Sequence, residues 1–513
     1  MTRYIDIYDL QYMRIKIIGF FLLAISLSGC FFDEPDSGKN VVLLEDILFI
    51  SSNKVRVLGR VFSSESTIQD HGFEFAKDEN FTNSFIRSLG GKNSPGSFLV
   101  EQDSLEQNTE YHYRAFLRSN GVTTYSHTSI LSTFNSKLVG YNPAYGREGD
   151  IITIDGSNLT NSIKVFFGEQ EAEIVELLSD FRIKVKVPSP AGVRLVPISV
   201  QLDEKTVVLQ EFEYITGKWT LVTTIEDYRA LEVIHYLKND EFTFAMGVTV
   251  DGTYSDLEYT INLNDFTYSK KSLTESSPGL VPTSGSFFNS EGYFGSGAVA
   301  KEEESEKEFR YILNNTFYDY NDGAPLLINA TPIASFGSVS FVIDGRVFYG
   351  GGQIADRRPN NRFFEYINGG WVLTTEFVGL LNYQNAHTTH NGKEIFLDLD
   401  ENWWEFNPID GRLQIVGSFE RSVLPYGAMH SINNDIYLGL FRFEQLFWRM
   451  ELDNVEGFNY RLVPKNNFPG NSSNINIASF VYNDKMYFLR SAITGTSAND
   501  EMFLWQFEPN EFQ

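Results

Sequence analysis

Apolar and polar side chains alternate in short runs over residues 41–136, as in VRVLGRVF at residues 55–62 and YHYRAFLRS at residues 111–119. A period of two residues places successive side chains on opposite faces of a strand, whereas a helix needs a period near 3.6. This part of the sequence shows no helical period. The pattern predicts an antiparallel β-sandwich.

Further along, the run FVIDGRVFYGGG at residues 341–352 joins two apolar segments through an Asp-Gly turn. Asn-Gly and Asp-Gly tolerate the positive φ of a tight turn, and Phe, Tyr, Ile and Val suit a half-buried ribbon. The run therefore predicts a β-hairpin. Its outline recurs five more times, as LKNDEFTFAMG from Leu237, FNSEGYFGSG from Phe288, THNGKEIFLD from Thr389, INNDIYLGLF from Ile432 and YNDKMYFLRS from Tyr482.

Each hairpin is followed by a third predicted strand, marked by a polar residue between two apolar or aromatic ones. The triplets lie 40 to 57 residues apart, a spacing typical of β-propeller blades. They are Leu257-Glu258-Tyr259, Phe309-Arg310-Tyr311, Phe364-Glu365-Tyr366, Trp404-Glu405-Phe406, Trp448-Arg449-Met450 and Trp505-Gln506-Phe507. Fourth strands are predicted to begin at Phe266, Phe317, Trp371, Arg412 and Tyr460.

The sixth repeat lacks a fourth strand before the sequence stops at EPNEFQ. A matching segment lies ahead of the first repeat, because GKWTLVTTI from Gly217 copies GGWVLTTEF from Gly369. We predict that the strand from Trp219 to Thr224 pairs with the last repeat, closes the ring and covers an otherwise open edge.

Charge and cysteine content restrict the classes of function. The chain has 513 residues, a formal net charge of −26 and a pI near 4.7. Such acidity repels nucleic acid phosphates, so no nucleic acid partner is expected. A single cysteine excludes an internal disulfide and a cysteine-cluster metal site, and we expect no metal and no cofactor.

That cysteine, Cys30, follows the segment MRIKIIGFFLLAISLSG, which begins at Met13. Arg14 and Lys16 precede a short apolar run, and small residues precede the cysteine, as in a secretory signal. The stretch resembles a bacterial lipoprotein signal, which implies cleavage after residue 29 and lipidation of Cys30. Residues 1–29 are thus predicted to be a signal peptide, and Met13 is a candidate for the true start.

Residues 30–40 are polar and acidic from Asp33 onward. This segment resembles the surface-export signal of Bacteroidetes lipoproteins, which implies an outer-membrane location facing the cell exterior. The alternative is a flexible, solvated tether, and the two interpretations are compatible. Surface and periplasmic locations both stay open.

Three further resemblances imply an all-β fold. Residues 41–136, with GFEFAKDENF and the later Tyr-x-Tyr-Arg-Ala strand, resemble a fibronectin type III module. Residues 137–215, with Pro143, Gly146, Gly149 and the run IDGSNL, resemble the IPT/TIG immunoglobulin-like fold. Residues 216–513 resemble kelch repeats, which implies a six-bladed propeller closed by its N-terminal strand after two immunoglobulin-like sandwiches.

Candidate binding residues come from predicted loops and inner strands. Arg357 and Arg358 form a basic pair whose guanidinium groups suit carboxylated or sulfated ligands, although a solvated loop explains them as well. Tyr383 and His387 are further candidates, but His387 and His390 turn to opposite faces of a strand and do not suggest a metal site. Trp403 is a candidate sugar platform, although blade packing is an alternative.

No nucleophile, metal cluster or cofactor loop stands out in the sequence, so no catalytic residue is predicted. We expect a lipid-anchored surface protein whose propeller binds a glycan or a protein ligand. The alternatives are a propeller carbohydrate-active enzyme, such as a glycosidase, lyase or epimerase, and a structural accessory of an envelope complex.

Overall fold

The computed structural model of the chain describes residues 40–62, 68–159, 162–179, 181–202, 205–226, 228–249, 252–277, 280–299, 312–320, 324–453, 458–492 and 501–513. Strands dominate these residues, and the helical elements are one turn of α-helix, Leu273–Ser276, and a 3-10 turn, Ala355–Arg357. The predicted all-β class is therefore confirmed. The predicted signal peptide and Cys30 lie outside the described residues.

The chain divides into two compact units. The first unit runs to Ala144 and also takes in Gly149–Pro188 and Pro197–Glu211. The second unit comprises Tyr145–Glu148, Ser189–Val196 and Phe212–Gln513. The division between the units therefore runs through the segment predicted to be the IPT/TIG domain.

Two antiparallel sheets form the beginning of the first unit, in the strand orders β1-β2-β5 and β4-β3-β6-β7, with β8 also pairing with β6. Both sheets contribute to one core, in which Val57 and Val100 of one sheet join Phe73 and Ala115 of the other. This is the two-sheet packing predicted for residues 41–136. The strands are β1 Val41–Ile50, β2 Val55–Phe62, β3 Asp70–Ala76, β4 Phe85–Ser88, β5 Gly96–Gln102, β6 Glu110–Ser119, β7 Val122–Tyr125 and β8 Ser129–Ser132.

Residues 137–214 form an eight-stranded sheet in the order β10-β16-β15-β12-β13-β14-β11-β9. Period-two burial of Ile152 and Ile154 in β11 and of Ile183 and Val185 in β14 produces its core. The strands are β9 Lys137–Asn142, β10 Tyr145–Gly146, β11 Ile151–Ser157, β12 Lys164–Phe167, β13 Gln170–Ser179, β14 Arg182–Lys186, β15 Leu195–Leu202 and β16 Lys205–Tyr214.

Six four-stranded antiparallel sheets, here sheets I to VI, follow in the second unit. Sheet I contains β18 Ile234–Lys238, β19 Glu241–Ala245, β20 Leu257–Asn262 and β21 Tyr268–Ser272. Sheet II contains β23 Phe287–Phe288, β24 Tyr293–Gly295, β27 Thr316–Asp319 and β28 Leu326–Ala330. Sheet III contains β29 Val339–Ile343, β30 Arg346–Gly350, β31 Arg362–Ile367 and β32 Gly370–Glu376.

Sheets IV to VI repeat this pattern, and all six predicted hairpins are confirmed. Sheet IV contains β33 Ala386–His390, β34 Lys393–Leu397, β35 Asn402–Asn407 and β36 Arg412–Ser418. Sheet V contains β37 Ala428–Ile432, β38 Asp435–Gly439, β39 Phe447–Asp453 and β40 Asn459–Pro464. Sheet VI contains β17 Lys218–Glu226, β41 Asn474–Tyr482, β42 Lys485–Ala492 and β43 Glu501–Glu508.

Sheet VI confirms the pairing predicted for the segment from Trp219 to Thr224, because β17 lies antiparallel to β43. Trp219 is buried against Phe507, with ring centroids 4.4 Å apart, and its Nε1 donates a 2.8 Å hydrogen bond to the Asn466 carbonyl. The strand that precedes sheet I therefore completes the sheet at the other end of the chain.

Sheet II corrects one prediction. The segment beginning at Phe317 is its third strand, not its fourth, and Leu326–Ala330 is the fourth. The triplet at residues 309–311 lies outside the described residues. An additional small sheet explains the shift, since β22 Thr283–Ser284, β25 Ala298–Val299 and β26 Ile312–Leu313 pair with one another in the order β22-β25-β26. In sheet I the fourth strand begins at Tyr268, after a turn in which Phe266 has a φ of 57°.

Six hydrophobic clusters lie between these sheets, and each draws side chains from two of them. Five clusters join sheets that are consecutive in the chain, and the sixth joins sheet I to sheet VI. The clusters include Ile234 with Phe294, Phe287 with Tyr349, Phe341 with Phe396, Leu397 with Leu438, Phe447 with Phe488, and Phe242 with Phe480.

The second unit also buries a charged group, here the Glu213 cluster, made of Arg194, Glu213, Arg449 and Lys465. Arg194 Nη1 lies 2.6 Å and Lys465 Nζ 3.4 Å from Glu213 Oε1, while Arg449 Nη2 pairs with Oε2. Arg449 Nη1 also contacts Asp435 at 2.8 Å. The Glu213 side chain is only 3% exposed and that of Lys465 is 0% exposed, so these charges depend on one another.

Candidate functional site

The first strands of the six hairpins in sheets I to VI line a single cavity of about 320 Å³. These strands are β18, β23, β29, β33, β37 and β41. The hydrophobic clusters fix their positions, and the tight turns return each chain away from the cavity; Asp344 of the Asp-Gly turn, for example, has a φ of 51°. The cavity is therefore held by rigid sheets.

His387 on β33 presents an imidazole to the cavity and is oriented by a buried carboxylate. Its Nδ1 lies 2.7 Å from Glu394 Oε1, and Thr389 Oγ1 donates a 2.5 Å hydrogen bond to Glu394 Oε2. The side chain of His387 is 29% exposed and that of Glu394 only 1%. A carboxylate bonded to one imidazole nitrogen leaves the other ring nitrogen available to a ligand.

Two more histidines, His235 on β18 and His430 on β37, line the same cavity from other sheets. Burial lowers the pKa of His235 to about 3, although a hydrogen bond with the Ser479 backbone opposes the shift. Burial lowers the pKa of His430 to about 4. The ring of His235 packs on Phe288, with centroids 3.9 Å apart. Both histidines are neutral at pH 7.

Glu232, which precedes β18, also lines the cavity. Burial raises the pKa of this carboxyl group, against hydrogen bonds from Ser284 and the Gly285 backbone that lower it. The bond from Ser284 Oγ to Oε1 measures 2.7 Å. This environment favours the protonated acid, which can donate a hydrogen bond as well as accept one.

Two tyrosines, Tyr383 and Tyr426, lie just ahead of β33 and β37 and line the cavity. Gln384 Nε2 bridges them, donating to Tyr383 Oη at 3.2 Å and to Tyr426 Oη at 3.1 Å. Burial raises the pKa of Tyr383 well above its usual range, and the nearby Glu232 adds to the shift. Its hydroxyl therefore stays protonated and serves as a hydrogen-bonding group.

Four polar atoms of lining residues have no hydrogen-bond partner within the described part of the chain. They are Glu232 Oε2, His235 Nδ1, Asn385 Nδ2 and His430 Nε2. Buried polar atoms usually have partners, so these four atoms make the cavity a candidate site for a polar ligand. No group of three or more His, Cys, Asp or Glu side chains that could hold a metal ion occurs in the described ranges.

The structure places the predicted binding residues in three environments. Tyr383 and His387 are brought together in the cavity lining. Arg357 and Arg358 are exposed on the loop between β30 and β31 and lie outside that lining. Trp403 is 0% exposed and packs against Phe419, Phe458 and Tyr460, because both faces of β35 meet neighbouring sheets. It offers no face to a sugar, so the platform hypothesis is corrected.

Several lining residues were not identified from the sequence: Glu232, His235, Glu394, Tyr426 and His430. A usable signal was their position in the repeat. His235 and His387 each lie four residues before the first residue of the hairpin turn, Asn239 and Asn391 respectively. Comparing equivalent positions across the six hairpins would have brought these histidines together.

Comparisons with known proteins identify one domain. An IPT/TIG domain is found at residues 137–214, which confirms that prediction. No curated protein matches the sequence.

No described helix has the length and apolar character needed to cross a bilayer.

Structural similarity to solved proteins is distant. A Bacteroides thetaiotaomicron VPI-5482 protein described as a candidate phosphatase has 11% identity and a TM-score of 0.35, covering 73% of this chain and 97% of its own. YjhT has 11% identity and a TM-score of 0.38, and the match covers 54% of this chain and 94% of YjhT. The sensor domain of the anti-sigma factor RsgI4 from Pseudobacteroides cellulosolvens has 12% identity and a TM-score of 0.17. That match covers 18% of this chain and 94% of the sensor domain. At these scores, none of the three indicates a function.

Proposed function

We propose that this protein is a lipid-anchored binding protein of the bacterial outer membrane, facing the cell exterior, and that its cavity holds a glycan. The anchor is Cys30 in the sequence LSGC, after a basic and then an apolar segment. Several acyl chains would hold the protein firmly, whereas one alone gives only marginal binding. The acidic residues Asp33 and Glu34 support export to the surface.

We further infer that sheets I to VI form a closed, kelch-like, six-bladed propeller. The support is the set of six hydrophobic clusters, since the cluster that joins sheet I to sheet VI completes a cycle. The pairing of β17 with β43 supports the same closure, because it leaves sheet VI with four strands like the others. In this arrangement the cavity lies on the propeller axis, where blade edges converge.

The observation that carries the glycan proposal is the polar lining of a cavity with rigid walls. Tyrosine hydroxyls, Asn385 and His387 line the cavity, and hydroxyl-rich ligands need many such donors and acceptors. A volume of about 320 Å³ suits a small ligand or one ring of a chain better than a protein surface. A glycan end is therefore favoured over a protein ligand.

A glycan-binding screen tests the proposal, with two histidine variants as matched probes. His387→Ala removes a cavity-lining imidazole, whereas His390→Ala removes one on the same strand that bonds Ser431 at 2.8 Å and lies outside the lining. A glycan that binds the wild type and His390→Ala but not His387→Ala supports the proposal. Absence of binding to any glycan, or equal loss in both variants, would contradict it.

The anchor and the location have separate tests. Cys30→Ser should release the protein from the membrane fraction, since acylation supplies the attachment. Unchanged sedimentation with the outer membrane would refute the lipoprotein assignment. Protease added to intact cells should cleave the wild-type chain, and complete protection beside a digested surface protein would indicate the periplasmic face.

A second candidate function is catalysis on a carbohydrate, favoured by the pair of His387 and Glu394. A histidine oriented by a buried carboxylate is a common general base. If the protein is an enzyme, a bound glycan should be converted by the wild type, and His387→Ala should abolish turnover. Recovery of unchanged glycan after prolonged incubation would leave binding as the function.

A further inference from the structure

The cavity carries no cationic side chain among its described lining residues. Lysine, arginine and aspartate are all absent from that lining, and its two acids are Glu232 and Glu394. Proteins that hold carboxylated or sulfated groups usually use arginine or lysine, since such groups lose their hydration on binding. The cavity therefore lacks the usual partner for an anion.

Glu394 is already committed to two neighbours. Its Oε1 faces His387 Nδ1 at 2.7 Å, and its Oε2 accepts from Thr389. If His387 is protonated, the pair is neutral; if His387 is neutral, the pair carries one negative charge. In neither protonation state does the pair offer a net positive charge to a ligand.

The environments of the remaining shifted groups of the lining disfavour their charged forms. Burial raises the pKa of Glu232, while it lowers the pKa of His235 to about 3 and of His430 to about 4. Tyr383 also keeps its proton, because burial raises its pKa. The summed charge of the cavity at pH 7 is therefore zero or negative.

For a positively charged ligand the lining is different, because Glu232 Oε2 has no hydrogen-bond partner among the described residues. What the cavity does offer is neutral hydrogen bonding together with aromatic surface. Tyr383, Tyr426 and Thr388 supply donors and acceptors, and Phe288 supplies an apolar ring. This combination matches hydroxyl groups on a carbon ring.

We infer that the cavity selects an uncharged sugar ring over an acidic one. The inference rests on the proposed function, because it names the class of glycan that the same cavity would hold. It also separates the cavity from Arg357 and Arg358, whose guanidinium groups lie outside the lining.

The test uses calorimetric titration of the full chain with methyl glycosides. The panel contains neutral hexosides and N-acetylhexosaminides together with the matching hexuronides. A neutral glycoside should bind, and its hexuronide should bind on the order of 100-fold more weakly, because its carboxylate is buried without a cation. A hexuronide that binds as well as the neutral ring, and is displaced by it, would overturn the inference.

Two glutamate variants sharpen the result. Glu394→Gln keeps the size of the side chain and removes its charge, so hexuronide affinity should rise roughly 10-fold relative to the neutral glycoside. Glu376→Gln removes an exposed charge at the edge of sheet III and should change neither. If Glu394→Gln leaves the ratio unchanged, cavity charge does not set the selectivity. If no glycoside binds the wild type, the proposed function itself fails, and the panel distinguishes that result from binding of a charged sugar.

Discussion

The cavity and the Glu213 cluster are two polar regions of the second unit, and they differ in how their buried ionisable groups are accommodated. In the cluster, both carboxylate oxygens of Glu213 pair with cations, and the groups keep their charges. In the cavity, the environments of Glu232, His235 and His430 favour their neutral forms, and each of these residues has a polar atom without a partner. In the cluster only Arg449 Nε lacks one.

The difference indicates what each region is for. A buried charge network with nearly complete pairing adds little net stability but is costly to break, and it holds strands in one arrangement. A cavity whose lining has polar atoms without partners is costly to keep. We therefore expect changes in the cluster to affect folding and changes in the cavity to affect binding.

The largest expected effect comes from Glu213→Gln. This change leaves Arg449 and Lys465 buried beside a neutral amide, so we expect a loss of about 3–5 kcal/mol in the free energy of unfolding. Denaturant titration of the full chain measures it. The matched control is Glu376→Gln, whose partner Arg362 lies 2.8 Å away at the surface; breaking that exposed pair should cost about 0–1 kcal/mol. If Glu213→Gln and Glu376→Gln lowered the free energy of unfolding by similar amounts, the Glu213 cluster would have no special role in stability.

The two regions should lose their contributions to stability over different ranges of acid pH. The pKa values of His235 and His430 are lower in the folded chain than the usual 6.5, so the unfolded chain binds more protons, and stability falls as pH drops from about 6.5 toward 4. The loss should reach roughly 3 kcal/mol per histidine. The Lys465 and Arg449 charges hold the pKa of Glu213 below its usual range despite its burial, so its contribution is lost only below about 4.5.

Unfolding temperatures measured from pH 6.5 to below pH 4.5 test these two pH ranges. In the double variant His235→Gln with His430→Gln, stability should depend less on pH between 6.5 and 4.5. The loss of stability below about pH 4.5 should remain. A double variant with the slope of the wild type between pH 6.5 and 4.5 would show that other groups control acid sensitivity.

A smaller and selective effect is expected for His387→Ala. Its ring is partly exposed, but its removal takes a hydrogen-bond partner from the buried Glu394 carboxylate, so the free energy of unfolding should fall by about 1–3 kcal/mol. Ligand affinity should fall about 10-fold for His387→Ala alone, through one lost hydrogen bond. Measuring stability and affinity on the same preparations tests this. A large stability loss without a specific binding defect would make His387 a structural residue.

The smallest effect is expected for the double change Arg357→Ala with Arg358→Ala. Both side chains are exposed and outside the cavity lining, so stability should change by less than about 0.5 kcal/mol. Affinity for a neutral glycoside should also stay the same. A weakened interaction would extend the binding surface onto this loop.

Much of the second unit could be predicted because its signals are local. Asn-Gly and Asp-Gly turns lie between aromatic strands, and the copy of GGWVLTTEF at Gly217 identified β17 as a fourth strand. The misassignment in sheet II has a local cause too. Aromatic triplets occur near both residue 309 and residue 317, and the pattern alone could not show which one pairs with β24.

The cavity and the cluster were harder to predict because their residues meet only in three dimensions. Glu213 and Arg449 are 236 positions apart, and no spacing rule connects them. Trp403 and Trp404 adjoin on one strand, and alternation suggests that one of them faces solvent. Both are buried because sheet IV is covered on both faces.

The pairing of β17 with β43 has a consequence for the order of events during synthesis. Thr216 Oγ1 donates to the carbonyl of Pro509 across 293 positions. At a synthesis rate of about 5–20 residues per second, β17 waits on the order of 15–60 seconds for its partner strand. Sheet VI therefore completes only when β43 has been made, and a chain terminated before β43 would expose β17 as an unpaired edge open to aggregation.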